Sequence, residues 1–369
     1  MNDGVNDKGG MVDKDGVFDN DAVNDKAAVS DKAAVSDFVI TRPRAFEFVR
    51  RWGVSIASFV GGLLTLFVFR RGLPRVGLIV GYLLLLWLLV AVLVQARDTL
   101  ATSERRTHRF VLTATEYAVQ TLYHGVLLFL LPAYWAVTTL TSVNVVFFLA
   151  ILGLALIATF DPWYQAIVHP RPWAGYVFFL VSLFGALNLA LPLVGVPPVA
   201  ALAIAAWTAV VALTPAVCRA RAWPWKRGLA VTALVGMLAM SAALAGRGAI
   251  PPAPLFLAES RLVWNVSTVD PPEPPSPIPA AALLQNGLIA YTAIYAPAGL
   301  KQPVDHVWRL EGQIVNVIRL TPVEGGRREG YRTYSRKTGF PADPRGRWTV
   351  DVTTATGQLI GRLRFRVVP

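Results

Sequence analysis

Residues 176–196 read YVFFLVSLFGALNLALPLVGV and residues 199–217 read VAALAIAAWTAVVALTPAV, and neither run holds an Asp, Glu, Lys or Arg. A helix that crosses a bilayer needs about 20 predominantly apolar residues, because its backbone satisfies itself but its side chains must face hydrocarbon. Both runs meet that length, so the chain reads as an integral membrane protein. Working outward, Trp52–Phe69, Val76–Ala96, Ala118–Leu140, Val143–Phe160 and Leu229–Ala245 also qualify. Trp52–Phe69 is short and sits between Arg50, Arg51, Arg70 and Arg71. The expected fold class is therefore a multi-span α-helical membrane bundle of about seven helices. Composition agrees: 54% of residues are hydrophobic and 16% charged, where an ordinary soluble domain carries roughly a quarter charged. Pro132 is expected to kink its span. The pairs Gly77/Gly81 and Ala239/Ala243 have the small-residue spacing that permits close helix packing.

The net charge of +12 is unevenly spread. Residues 1–39 carry −5, residues 40–250 carry +12 and residues 251–369 carry +5. The central arginines stand between apolar runs, so they read as topology charges rather than a nucleic-acid surface. One side of the bundle collects Arg42, Arg44, Arg50, Arg51, Arg97, Arg105, Arg106, Arg109, Arg171, Arg219, Arg221, Lys226 and Arg227; the other collects Arg70, Arg71, Arg75, Arg247 and Arg261. The richer side is expected in the cytoplasm. An odd number of spans then puts the C-terminus outside, in a periplasm if the cell is Gram-negative. The first 39 residues lack a signal-peptide layout, so the first span is expected to act as its own insertion signal. They repeat short Val-Asn/Ser-Asp-Lys-Ala-Ala units and read as a disordered tail. The acidic run Asp13–Asp21 resembles a calcium loop only superficially, since its glycine falls early and no glutamate closes it. A single cysteine, Cys218, excludes an intramolecular disulfide.

Residues 251–279 hold nine prolines and read as a semi-extended spacer. Beyond it the periodicity changes from helical to alternating. Leu288–Ala296, Asp305–Leu310, Ile314–Leu320, Gly330–Lys337, Arg347–Thr353 and Leu359–Val368 read as strands, with hairpin turns at Glu311-Gly312 and Thr356-Gly357. These predict an antiparallel β-sandwich with Trp308, Trp348, Val350 and Val352 in its core. The domain plan is thus a tail at 1–39, helices at 40–250, a proline-rich linker at 251–280 and an extracytoplasmic sandwich at 281–369.

Ala298-Gly-Leu-Lys-Gln302, Asp305-His-Val-Trp-Arg309, Gly330-Tyr-Arg-Thr-Tyr-Ser-Arg-Lys337, Gly346-Arg-Trp-Thr-Val-Asp-Val352 and Gly357-Gln-Leu-Ile-Gly-Arg362 occur in that order. Together they resemble a bacterial domain of unknown function, family 2914. The helical part, with Asp161-Pro-Trp-Tyr164, is similar to the membrane family numbered 5924, which often precedes that domain. The resemblance implies a bacterial envelope protein and brings no activity, substrate or catalytic residue with it; the topology reading places it in the inner membrane.

Two constellations offer chemistry. Glu116, Gln120 and His124 recur at four-residue spacing and share one helical face. Polar and ionisable groups at membrane depth often mark an ion or proton path, but they also serve as packing glue between helices. Asp161-Pro162-Trp163-Tyr164 fits a helix stop with interfacial aromatics. In the β domain, Arg362, Arg364 and Arg366 alternate with Leu363, Phe365 and Val367, while Arg332 and Arg336 alternate with Tyr331, Thr333 and Ser335. With His306 nearby, these arginines are candidates for gripping an anionic envelope polymer or lipid, or a periplasmic protein; a solvated strand face is the plain alternative. There is no phosphate-binding loop, no GxSxG, no HExxH and no dinucleotide fingerprint, so neither a cofactor nor a metal is expected. A binding module is therefore expected over an enzyme, and a transporter or membrane-embedded enzyme centred on Glu116, Gln120 and His124 is the competing reading.

Overall fold

The computed structural model describes Trp87, residues 106–266 and residues 272–369, all within one compact unit, Arg51–Pro369. The tail, the calcium-like run, the pair Gly77/Gly81, the span Trp52–Phe69 and all of Val76–Ala96 except Trp87 lie outside the described residues.

Seven helices precede the sheets among the described residues: α1 Arg106–Val137, α2 Val145–Thr159, α3 Asp161–Ile167, α4 Pro172–Leu193, α5 Pro198–Val211, α6 Thr214–Arg221 and α7 Trp225–Ala245. Among the described residues, three segments are long and apolar enough to cross a membrane: α4, the α5–α6 run Pro198–Arg221, and α7. The bent pair α2–α3 makes a fourth if its halves count as one span. The expected span Ala118–Leu140 begins inside the 32-residue α1 and runs three residues past its end at Val137, and α1 is not among the three.

The breaks have local causes. The expected span Val143–Phe160 is only 15 residues of helix, about 22 Å long, and turns by 105° into α3. Phe160 is extended there, and Pro162 has no N–H with which to continue the ladder. Between α5 and α6, Pro215 likewise cannot donate to the carbonyl of Val211; the Thr214 hydroxyl donates to it instead, at 2.6 Å. The indole of Trp87 donates to the neighbouring Ala212 carbonyl at 2.9 Å.

Close packing in α7 uses Gly228, Thr232 and Gly236, which are its buried residues, rather than Ala239/Ala243. A Cβ on Gly228 would stand 2.2 Å from Cys218 Sγ, and one on Gly236 would stand 2.9 Å from the Trp207 ring. Four-residue steps put all three on one face, which lies on α5 and α6. The opposite face leaves Leu234 and Leu238 about two-thirds exposed, as expected for a helix turned to lipid.

The C-terminal domain has strands β1 Phe256–Val263, β2 Ile278–Pro279, β3 Leu288–Tyr295, β4 Lys301–Gln302, β5 Val304–Leu310, β6 Gln313–Arg319, β7 Val323–Glu324, β8 Tyr331–Lys337, β9 Gly346–Thr354 and β10 Leu359–Val368, with a short helix α8 at Ala280–Asn286. They form a three-stranded sheet β1-β3-β8, a five-stranded sheet β2-β10-β9-β5-β6 and a small β4-β7 ladder. Ala290 and Ile294 from the first sheet share one core with Trp308, Trp348, Val350, Val352 and Leu363 from the second. Trp308, Trp348, Val350 and Val352 are all fully buried, as the alternation predicts. Glu311 and Gly312 both have positive φ, the geometry that a two-residue hairpin requires.

The spacer expectation for residues 251–280 meets a different arrangement. Phe256–Val263 is a strand paired along its length with β3. Residues 251–255 are buried, with Leu255 in the β core. The alternation of Phe256-Leu-Ala-Glu-Ser-Arg-Leu-Val263 was masked by the prolines on either side. The connection is also tied down: Gln358 Nε2 donates to the Ile250 carbonyl at 3.2 Å, and Arg247 bonds both the Leu244 carbonyl that ends α7 and the Thr356 carbonyl of the β9–β10 turn.

Candidate functional site

A groove of about 400 Å³ runs along the seam between the two sheets. Ser260, Arg261 and Leu262 of β1 form one wall and Arg362, Leu363, Arg364 and Phe365 of β10 the other, with Glu273–Ser276 and Ile278 closing it. Strand alternation sends Arg362 and Arg364 to the same face of β10, with one residue between them. Their surroundings then separate them. Arg362 Nη2 donates to Asp351 Oδ2 at 2.9 Å, and Arg309 Nε donates to the same oxygen at 3.0 Å. Asp351 is almost fully covered by these two guanidiniums. Arg362 is therefore one member of a structural ion-pair triad with Asp351 and Arg309. Arg261 pairs with Glu259 at 2.7 Å near the surface. Arg364 has no carboxylate partner among the described residues, and it lines the groove.

The other arginines expected in this patch do not line the groove. Arg366 stands across from Arg347 in the β9–β10 register. Arg347 donates to both oxygens of Glu311. These hydrogen bonds, with the positive charges of Arg347 and Arg366, hold the Glu311 carboxyl below its ordinary pKa. Arg332 and Arg336 lie on β8, in the other sheet. Arg332 lines a separate recess of about 310 Å³ with Arg327, Arg328, Glu329 and Gly330, and is 3.5 Å from Glu329. The five arginines thus do not form one basic face, and alternation within single strands had no means of assigning them to sheets. Arg261, hidden in the presumed spacer, is the groove residue that the sequence reading lacked.

His306 is no surface ligand. It is fully buried, with Nδ1 2.8 Å from Ser335 Oγ and Nε2 3.2 Å from Thr292 Oγ1. Trp308 Nε1 donates to the same Ser335 oxygen at 3.1 Å. Burial pushes the imidazole pKa down to about 4. This is a histidine–hydroxyl network that crosses between the sheets without reaching solvent.

In the helical part the structure joins two motifs that the sequence reading kept apart. Gln120 Nε2 donates to Asp161 Oδ1 at 2.6 Å and to the Ala158 carbonyl at 3.3 Å. One turn along α1, His124 Nδ1 is 3.0 Å from Thr159 Oγ1, whose hydroxyl also donates to the Ala155 carbonyl. Gln120, His124 and Thr159 are buried. The α1 polar stripe therefore faces the bend between α2 and α3. Glu116, one turn earlier, is half-buried.

Two family models match this sequence, in order: one described as a family of unknown function (DUF5924) over residues 36–290, and one described as a protein of unknown function (DUF2914) over residues 301–367. The first match continues through β1 into β3 instead of stopping at α7, in keeping with the packed connection. Among curated proteins and among solved structures, nothing matches.

Proposed function

We propose that this chain, which belongs to the family of unknown function DUF5924, is a multi-span membrane protein whose β-sandwich binds an anionic envelope component in the groove of Arg261, Arg362 and Arg364. The observation that carries the reading is the pairing of one neutralised arginine with one unneutralised arginine on the same groove wall. Asp351 fixes Arg362 in place, while the charge of Arg364 has no protein partner among the described residues. A guanidinium presented this way suits a phosphate or carboxylate.

Charge placement supports an extracytoplasmic position for the groove. The helix ends remote from the β domain carry Arg171, Arg219, Arg221, Lys226 and Arg227, whereas Arg247 alone marks the described connections on the domain's own side. By the positive-inside rule the remote end is cytoplasmic. In a bacterium with this protein in its inner membrane, the domain then meets periplasmic polymers, lipids and proteins.

The test uses the full chain in uncharged detergent, titrated with a bisphosphorylated glycolipid. Binding is expected to weaken as salt rises, and Arg364→Glu is expected to lower affinity at least tenfold at unchanged folding stability. A full chain that binds no such anion at low salt would defeat the proposal.

A second reading is favoured by the contact of Gln120 with Asp161 at the 105° bend, since broken helices with ionisable groups occur at ion pathways. On that reading the bundle transports a proton or cation, and Asp161→Asn abolishes flux in liposomes. Flux unchanged by that substitution removes it.

A further inference from the structure

The α6–α7 turn, Arg219-Ala-Arg-Ala-Trp-Pro-Trp-Lys-Arg-Gly228, has the most concentrated positive charge of the described helical part. Helix α6 ends on Arg219 and Arg221, Ala222 turns the chain in the left-handed conformation, and α7 opens on Trp225, Lys226 and Arg227. The hairpin is held tightly: Thr214 and Thr232 hydroxyls lie 2.7 Å apart, and Gly228 rests directly on Cys218. Its cationic end is therefore a fixed arrangement. Arg227 lies 4.5 Å from the Trp223 ring centroid and Arg221 lies 5.9 Å from it, so one indole gathers two guanidiniums. Trp225 beside them is half-exposed.

Among the described residues, this charge is little balanced at Arg221, Lys226 and Arg227. No carboxylate among the described residues pairs with Arg221, Lys226 or Arg227, and the first turn of α7 has no acidic residue. Three cations within seven residues repel one another, so an anion brought to the turn is stabilised there. The 21 residues of α7 span about 31 Å, one hydrocarbon thickness, from this turn to the β-domain end. The turn therefore sits at the opposite interface, where headgroup phosphates lie and where tryptophan prefers to be. Trp163 and Trp173, both about half-exposed or more, stand on α3 and at the start of α4, at the same end of the bundle by chain direction.

We infer that the α6–α7 turn is a binding site for an anionic phospholipid headgroup, whose phosphate is held by Arg221, Lys226 and Arg227, with Trp223 and Trp225 lying against its glycerol and upper acyl carbons. The inference rests on the membrane reading above but not on the β-domain groove.

The experiment is native mass spectrometry of the full chain in uncharged detergent, with phosphatidylglycerol as probe and phosphatidylcholine and inorganic phosphate as comparisons. Wild type is expected to retain phosphatidylglycerol over phosphatidylcholine. The triple substitution Arg221→Gln, Lys226→Gln, Arg227→Gln is expected to weaken phosphatidylglycerol on the order of 100-fold, at roughly fivefold per removed charge, and to leave phosphatidylcholine unaffected. The loss caused by the triple substitution should be the same in an Arg364→Glu background, which separates the site from the groove. Arg221→Lys with Arg227→Lys keeps the charge, so it should bind within about tenfold of wild type and stands in if the triple variant does not fold. Phosphatidylglycerol retained equally by wild type and charge-removed protein overturns the site. Millimolar inorganic phosphate that displaces the lipid shows a simple anion site and overturns the lipid assignment. Extraction of the chain from cells without detergent would instead sink the membrane reading itself.

Discussion

Asp351 shows how a single buried charge divides neighbouring residues into structural and free. It is enclosed by Arg309 and Arg362, and removing it would leave two partly buried guanidiniums without a counter-ion. Breaking such a pair from one side typically costs about 3–5 kcal/mol; because both arginines keep some solvent, the lower end of that range is expected for Asp351→Ala in denaturant unfolding of the full chain. Arg364→Gln should change stability by less than about 0.5 kcal/mol, as for ordinary surface positions. His306 gives a second prediction. Its pKa falls from 6.5 in the unfolded chain to about 4 in the folded domain, so between those values the unfolded state binds more protons. Stability is then complete above pH 6.5 and declines as pH falls towards 4, by about 3 kcal/mol from this residue. Thermal unfolding of the full chain across pH 4–7 should show that slope, and His306→Gln should flatten it. The shared face of His306 and Trp308 was legible from alternation. Their common partner Ser335 was not, because it is 29 and 27 residues away and on the other sheet, a pairing that no local pattern encodes.

At the scale of elements, regular periodicity was readable and its interruptions were not. Strands β3, β5, β6, β8, β9 and β10 fall within one residue of their expected limits because their alternation is long and bounded by turn residues. Strand β1 escaped because prolines flank it. The helices show the same contrast: apolar runs located α4, α5–α6 and α7, while the 105° turn after α2 depends on how Phe160 and Pro162 are accommodated. Helix contacts are also invisible in composition, since Ala239/Ala243 and Gly228/Thr232/Gly236 are equally good small-residue patterns on paper. The packed set makes a sharp prediction. Gly228→Ala forces a Cβ to within 2.2 Å of Cys218 Sγ, so it should lower the unfolding temperature of the detergent-solubilised chain by an overpacking cost of about 1–3 kcal/mol. Adding Cys218→Ala removes the sulfur and leaves the Cβ at position 218 and Thr214 Cγ2, each at 3.7 Å, both ordinary contacts. The double variant should therefore recover most of the loss. Equal losses in single and double variants would show that α6 and α7 do not meet there.

For the whole molecule, the decisive region is the join between helices and sheets. A free spacer would let the β domain sample its surroundings independently, and a ligand in the groove would then have no mechanical route to the bundle. The observed join leaves little slack. Residues 251–255 are buried, β1 enters the sheet at Phe256, and Arg247 and Gln358 bond α7 and its exit to the β9–β10 turn. Strand β10, which begins just after that turn, is also the wall that carries Arg362 and Arg364. On the proposed reading, a shift of β10 on anion binding would be transmitted to the end of α7 through two hydrogen bonds and a buried peptide segment. Helices and sheets that share such a join should unfold together, so calorimetry of the full chain is expected to give one transition. Gly248 has open space around it, so six Gly/Ser residues inserted after it can be accommodated without disturbing either core. The insertion separates α7 from the β domain while leaving both ends intact, and it should split the transition in two. Anion binding to the inserted protein should then raise only the β-domain transition, whereas in the uninterrupted chain it raises the single shared one. Two transitions in the uninterrupted chain would mean that the join is loose and that the groove works without the bundle.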